Sequence, residues 1–154
     1  MSLESVRAFL AKKAPDLRII ETDASSATVA LAAVAHGVAP RQIAKTLSLR
    51  LGDRVVLIVV AGDARLDNRK VKAAFGVKPR LLEAGEVAEI TGHPVGGVCP
   101  FGLATPLAIY CDASLRDLGE VVPAAGAVNA AVRVDAARLA ELVGAQWVDV
   151  CQDR

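Results

Sequence analysis

Thr46-Leu47-Ser48-Leu49-Arg50-Leu51 and Arg54-Val55-Val56-Leu57-Ile58-Val59-Val60-Ala61, joined by Gly52-Asp53, decide the architecture of this chain. The Gly-Asp pair reads as a tight hairpin turn between two strands. Val55 to Val60 is apolar at every position, so both faces of its strand must be covered and it belongs at the centre of a sheet. Upstream, Leu3, Val6, Phe9 and Leu10 recur at helical spacing after Ser2, which predicts a helix to Lys13. Arg18 to Thr22 reads as a short strand and Ser26 to His36 as a helix stopped by Gly37. Pro40 to Ala44 reads as one further helical turn.

Downstream, Asp67 caps a predicted helix over Asn68 to Phe75 that Gly76 closes. A short strand at Arg80 to Leu82, a short helix at Gly85 to Ile90 and a strand at Pro106 to Cys111 follow. Ala113 to Leu118 reads as a helical turn, and Glu120 to Pro123 and Val128 to Val134 as strands. Asp135 caps a helix to Val143, and Gln146 to Cys151 reads as the last strand. Hairpins and helical crossovers are mixed, with no repeat or linker. One mixed α/β domain over residues 1–154 is expected, rather than a doubly wound sheet.

The chain is 53% hydrophobic but only 3% aromatic, so its core must be built from Ala, Val, Leu and Ile. A net charge of +1 argues against wholesale coating of nucleic acid. Cys99, Cys111 and Cys151 have no metal-ligand spacing and leave one thiol over in any disulfide scheme, which suits a reducing cytoplasm. No signal peptide and no apolar run of membrane-spanning length are read, so a cytoplasmic protein without membrane contact is expected.

The chemistry concentrates in Thr91-Gly92-His93-Pro94-Val95-Gly96-Gly97-Val98-Cys99-Pro100-Phe101-Gly102, with four glycines and two prolines in twelve residues. Glycine lets backbone N–H groups approach a ligand and proline fixes the path between them, so such a loop can hold a carbonyl or oxyanion without a catalytic side chain. Lys45, in Ile43-Ala44-Lys45-Thr46-Leu47, reads either as a solvated strand-edge lysine or as a fixed cation for a phosphate or carboxylate. No P-loop, nucleophile elbow, H-E-x-x-H or Rossmann fingerprint is present. With only His36 and His93, a histidine-rich metal site is not expected, and neither a metal nor a cofactor is assigned.

Cys99 is read as a small packing residue under the loop, in preference to a nucleophile served by His93. His93 itself reads equally as a substrate contact at the loop mouth or as a solvated residue, and His36 as a partner of a helix C-terminus. Arg65, Arg69, Lys70, Lys72, Lys78 and Arg80 face Asp67 alone. They form a solvated helix face or, on the sharper reading, contacts to an RNA backbone, since phosphate contacts need Lys and Arg but little else; the scarcity of aromatics speaks against a base-stacking platform.

Ile43 to Leu47, Val60-Ala61-Gly62-Asp63-Ala64-Arg65-Leu66-Asp67, the Thr91 to Gly102 loop, Asp112 and Ala125-Gly126 together resemble the YbaK/prolyl-tRNA-synthetase-associated editing domain family over nearly the whole chain. That resemblance implies a compact, partly barrel-like mixed sheet flanked by helices. It further implies a free-standing deacylase hydrolysing the ester between a wrong amino acid and the 3′ end of tRNA, usually tRNA-Pro. The physical need is plain: one methylene is worth only about 1–3 kcal/mol to a synthetase pocket, so a second sieve must remove the smaller residue.

By resemblance, Lys45 positions the tRNA end, and backbone groups of Gly96 and Gly97 hold the aminoacyl carbonyl. Pro100 and Phe101 shape the loop. Thr28, Thr46, Pro100, Phe101, Gly126 and Asn129 are the substrate-binding candidates, with Ile20 beside them; the RNA contacts read from the basic run are Arg65, Arg69, Lys70 and Lys72. Ala124 and Ala131 stand where cysteine-specific relatives carry a serine and an aspartate, which favours a small apolar substrate, alanine or 2-aminobutyrate. The expected partners are mischarged tRNA-Pro and prolyl-tRNA synthetase. A non-enzymatic tRNA or synthetase adaptor and a thiol-dependent hydrolase centred on Cys99 are the alternatives.

Overall fold

Local signals place the helices. The computed structural model describes residues 2–153, so Met1 and Arg154 lie outside it. α1 (Ser2–Lys13) buries Val6 and Leu10. β1 (Ile19–Glu21) follows, then α2 (Val29–His36), which starts later than the expected Ser26. Its true cap is Thr28, whose backbone is extended and whose hydroxyl accepts the Leu31 N–H. A 3-10 turn at Pro40–Gln42 runs directly into β2 (Ile43–Leu51). Lys45 is therefore the third residue of the strand and not a residue ahead of it.

β3 (Arg54–Ala61) completes the hairpin, with Leu51 opposite Arg54 and Gly52 at a positive φ in the first turn position. α3 (Asn68–Phe75) is capped by Asp67 and closed by Gly76, as its sequence predicts. β4 (Arg80–Leu81), α4 (Ala84–Thr91) and β5 (Ala108–Asp112) come next. β6 (Glu120–Pro123) has the expected bounds. The single strand expected over Val128 to Val134 is instead β7 (Ala130–Val132) and β8 (Val134–Asp135), broken at Arg133. α5 (Ala136–Val143) and β9 (Gln146–Val148) close the order.

The main sheet runs β8-β6-β2-β3-β5-β9, with β4 also on β2, while β1 and β7 form an antiparallel pair. β2 is antiparallel to β3 and parallel to β6, and β3 and β9 are each parallel to β5. An Ala124–Ala131 bridge leads the β6 side into the β1–β7 pair, so the mixed sheet curls into a half-barrel flanked by helices. β3 lies between β2 and β5, and Val56 to Ala61 are fully buried, as an uninterrupted apolar run requires. The few aromatics pair within and against this aliphatic core: the fully buried Phe101 with Phe9 at 5.8 Å and Phe75 with Tyr110 at 5.0 Å between ring centroids. No helix among the described residues is long and apolar enough to cross a membrane.

One edge of β2 is shared. Its start pairs with β6 (Ile43 with Val122, Ala44 with Pro123), and its end pairs with β4 (Leu49 with Leu81, Arg50 with Arg80). Neither strand pairs with residues 45–47. The sheet is split there, and the split is where the cavity opens.

Candidate active site

A cavity of about 360 Å3 occupies the gap between β6 and β4. Its wall on β2 is Ile43 to Ser48, its sides are Thr28, Val29 and Ala32 of the α2 start and Leu81 to Val87 around α4, and Val122, Ala124 and Ala131 close it. Val95, Gly96 and Val98 enter from the glycine-rich loop. Behind it lies a small apolar cluster of Ala32, Ala33, Ile43, Val122 and Ala131. Most of this lining is aliphatic, broken by Ser26, Thr28, Lys45, Thr46 and Ser48.

Two of them are neighbours on β2. Thr46 Oγ1 is buried without a hydrogen-bond partner, a cost of about 1–3 kcal/mol that a ligand donor or acceptor would relieve. Lys45 Nζ donates to the carbonyls of Ala64 at 2.7 Å and Gly62 at 3.3 Å, which uses two of its three protons. Burial holds its ammonium below the ordinary lysine range.

The turn that receives Lys45 is itself fastened. Any Cβ at Gly62 would run into the Pro40 carbonyl, so only glycine lets this turn pack on the 3-10 turn. The C-terminal segment pairs along its far side, with Asp67 N–H on the Val150 carbonyl at 2.8 Å and Gln152 N–H on the Arg65 carbonyl at 2.8 Å. Asp112, 1% exposed, anchors that segment by accepting the Val150 N–H at 2.8 Å and the Ser114 N–H at 2.9 Å. The sequence marks Asp112 only through the family pattern. Its role depends on a contact 38 residues away.

The loop approaches from the other side. Gly96 has φ +88 and a Cβ there would lie 2.8 Å from the Ala27 Cβ, so the bare backbone closes against the α2 approach. Gly97 donates to the Pro94 carbonyl at 2.9 Å and its own carbonyl accepts the Gly126 N–H at 3.0 Å. Its N–H is taken up by that turn and its carbonyl docks the loop, while Gly96 lines the cavity.

Other expected pocket residues are also placed elsewhere. Phe101 is fully buried against Phe9, and Pro100 is buried beside it. Gly126 lies under α1, where Ser2 Oγ donates to its carbonyl. Asn129 straps β1 through Thr22, accepting its N–H and donating Nδ2 to its carbonyl. None of these four lines the cavity, nor does Ile20, which pairs with Ala131 in the β1–β7 register. All were drawn from segments that do approach the site, and their side chains or carbonyls serve packing. Thr28, Lys45, Thr46 and Gly96 do line it, together with Ala124 and Ala131.

His93 is fully buried and not at the loop mouth, and Cys99 Sγ lies 3.6 Å from its Nε2. Burial pushes the Cys99 thiol up to about 12, so it is held neutral, which fits the packing reading. Of the basic run, Arg65, Arg69 and Lys72 are exposed, whereas Lys70 pairs with Asp153 at 2.8 Å and Asp149 at 3.1 Å, which raises its pKa. Lys70 is therefore a clamp on the C-terminal segment before it is a phosphate contact.

An aliphatic cavity cut into the edge of a half-barrel, with a fixed lysine and a glycine-rich loop at its wall, defines the class. The chain belongs to the aminoacyl-tRNA editing domain family, whose model matches residues 23–142. Among similar proteins, the uncharacterized protein YwhH of Bacillus subtilis (strain 168) is 46% identical over 99% of each chain. A proline–tRNA ligase of Desulfovibrio desulfuricans is 31% identical over 116 residues, which are 74% of this chain but 20% of the ligase. The crystal structure of a candidate trans-editing enzyme for prolyl tRNA synthetase superposes with a TM-score of 0.91 at 35% identity, covering 99% of this chain and 98% of that one.

Proposed function

We propose that the chain, acting as one editing domain over residues 1–154, is a trans-editing aminoacyl-tRNA deacylase. Its substrate on this reading is alanine or 2-aminobutyrate esterified to the 3′ end of tRNA-Pro. The observation behind it is the unpartnered Thr46 hydroxyl in a mainly aliphatic cavity, one residue from a lysine with a proton to spare. The amino acid side chain enters toward Ala32, Ile43, Val122 and Ala131, where a hydroxyl would find no partner. Backbone at Gly96 receives the ester carbonyl, and Lys45 holds an oxygen of the terminal nucleotide as a point charge. Water adds to the acyl carbon, the bond to the ribose oxygen breaks, and that oxygen leaves as a hydroxyl carrying a proton from the water. These groups and water suffice, without a metal.

Likeness to proline–tRNA ligases favours tRNA-Pro, with prolyl-tRNA synthetase as the source of the mischarged ester. Similarity over nearly all of both chains to the candidate trans-editing enzyme favours action on tRNA released from the synthetase. Arg65, adjacent to the turn that receives Lys45, and Arg69 and Lys72 beyond it are the phosphate contacts; Lys70 joins them only by leaving Asp149 and Asp153. The test is the time course of Ala-tRNA-Pro deacylation by wild type and Lys45→Ala. Loss of at least about a hundredfold in kcat/KM is expected, with the fold retained and melting lowered only by the loss of the two lysine bonds to the Gly62 and Ala64 carbonyls. Full activity in the variant would remove Lys45 from the mechanism, and tRNA binding without cleavage by the wild type would favour the adaptor.

A further inference from the structure

We infer that His93 is a positioning residue that sutures the base of the glycine-rich loop and thereby holds Gly96 at the cavity wall. The inference draws on the deacylase reading only for its catalytic consequence. His93 Nε2 lies 2.7 Å from the Phe101 carbonyl, and because a carbonyl only accepts, Nε2 carries the proton. That bond ties residue 93 to residue 101 and closes the intervening segment into a ring, whose far side carries Val95, Gly96 and Val98 into the cavity.

The rest of the ring is braced at the same end. The His93 N–H donates to Thr91 Oγ1 at 3.1 Å, Thr91 Oγ1 donates to the Val87 carbonyl at 2.7 Å, and the Ala104 N–H reaches the Thr91 carbonyl at 3.0 Å. Thr91 and His93 are both fully buried, so these bonds are shielded from water. At the opposite end the loop is docked through Gly97 and Gly126. Held at both ends, the segment between has little freedom to move Gly96.

The choice of imidazole is itself informative. His93 Nδ1 is buried without a partner, a cost that an apolar side chain of similar volume would avoid. What the ring supplies in return is a short bond to the Phe101 carbonyl, to which the Cys99 thiol also points, at 3.8 Å. With Nε2 committed to that carbonyl, the same nitrogen is unavailable as a base toward Cys99. A suture explains the geometry that a Cys–His dyad does not.

The experiment compares wild type with His93→Gln, which keeps a donor of similar reach, and His93→Leu, which does not. Backbone amide hydrogen exchange across Val95 to Val98 is read first, then kcat and KM for deacylation. His93→Leu is expected to exchange about tenfold faster in the loop, with protection in β3 unchanged, and to lose about tenfold in kcat more than in KM. His93→Gln is expected to restore both to within about threefold.

Unaltered loop exchange in a folded His93→Leu variant would overturn the suture, whatever ester the wild type cleaves. A shared defect in the Gln and Leu variants would overturn it too, since packing and not the donor would then be at issue. Should His93→Leu not fold, His93→Asn, whose amide is too short to reach Phe101, replaces it, and exchange equal to that of His93→Gln overturns the inference. Absence of cleavage by the wild type would count against the deacylase reading alone, because the exchange arm does not depend on it.

Discussion

Lys45 and Thr46 are adjacent on one strand yet meet opposite fates: the lysine's protons are largely matched by the Gly62 and Ala64 carbonyls, while the threonine hydroxyl is left over. A group unpartnered in the free protein contributes nothing to its stability, so Thr46→Val should leave unfolding free energy unchanged or raise it by up to about 1 kcal/mol. If the hydroxyl bonds the ester as proposed, the same change should lower kcat/KM about tenfold. Denaturant unfolding and deacylation kinetics on one preparation check both signs, and a loss of stability with full activity would place the hydroxyl in the fold.

The thiols give a second residue-level outcome. Burial pushes Cys99, Cys111 and Cys151 each up to about 12, so native protein at neutral pH should resist iodoacetamide and denatured protein should take it up at all three. Cys99→Ala should keep substantial activity. The family pattern marks both Lys45 and Gly96, and both line the cavity. That Gly96 lines it and Gly97 does not was not legible, since it depends on which N–H the Pro94 carbonyl takes.

At the scale of elements, local chemistry fixed local bounds. α3, β6 and α5 match their expected limits because Asp67 and Asp135 cap the helices, glycines close them, and β6 is a short apolar run. The cavity was not legible, because it exists only where β6 and β4 leave the middle of the β2 edge open, and both pairings are long-range. Asn129 and Phe101 lie in segments near the site without entering it, a distinction that sequence spacing does not make. The tightest joint is at Gly62, where an added methyl has no room against the 3-10 turn. Gly62→Ala should cost about 2–4 kcal/mol by chemical denaturation and misplace Lys45 with it. Asp67→Ala, which removes only the α3 cap, should cost about 1 kcal/mol and leave turnover intact.

Across the whole molecule, acidity should act through the two histidines before the carboxylates. Burial lowers the pKa of both His36 and His93 below 6.5, so the unfolded chain binds protons that the folded chain refuses. Stability should be flat above about pH 7 and fall as pH drops through 6.5, by at most about 1.4 kcal/mol per pH unit for each histidine. Urea unfolding at pH 7.5 and 5.5 reads this directly, and His93→Gln should flatten part of the slope; a pH-independent midpoint would mean that neither ring is shielded as described. Asp16, Glu86 and Asp153, held below their ordinary range by Arg138, Arg50 and Lys70, withdraw their contributions only at more acidic pH.

The mixed sheet was legible from its apolar centre and irregular order of elements, and its partial barrel from the family resemblance; the Ala124–Ala131 bridge that joins the β6 side to β7 was not, since it is a long-range pairing. The central claim is that this partial barrel shapes an aliphatic cavity into a sieve for a small amino acid ester. Its most direct measurement is deacylation by wild type of tRNA-Pro carrying Ala, 2-aminobutyrate, Cys, Ser, Thr or Pro in parallel. Rapid cleavage of the alanyl or 2-aminobutyryl ester, with Ser and Thr slower and Pro spared, is the predicted result. Cleavage without regard to the side chain, or of none of the six by folded protein, would contradict it.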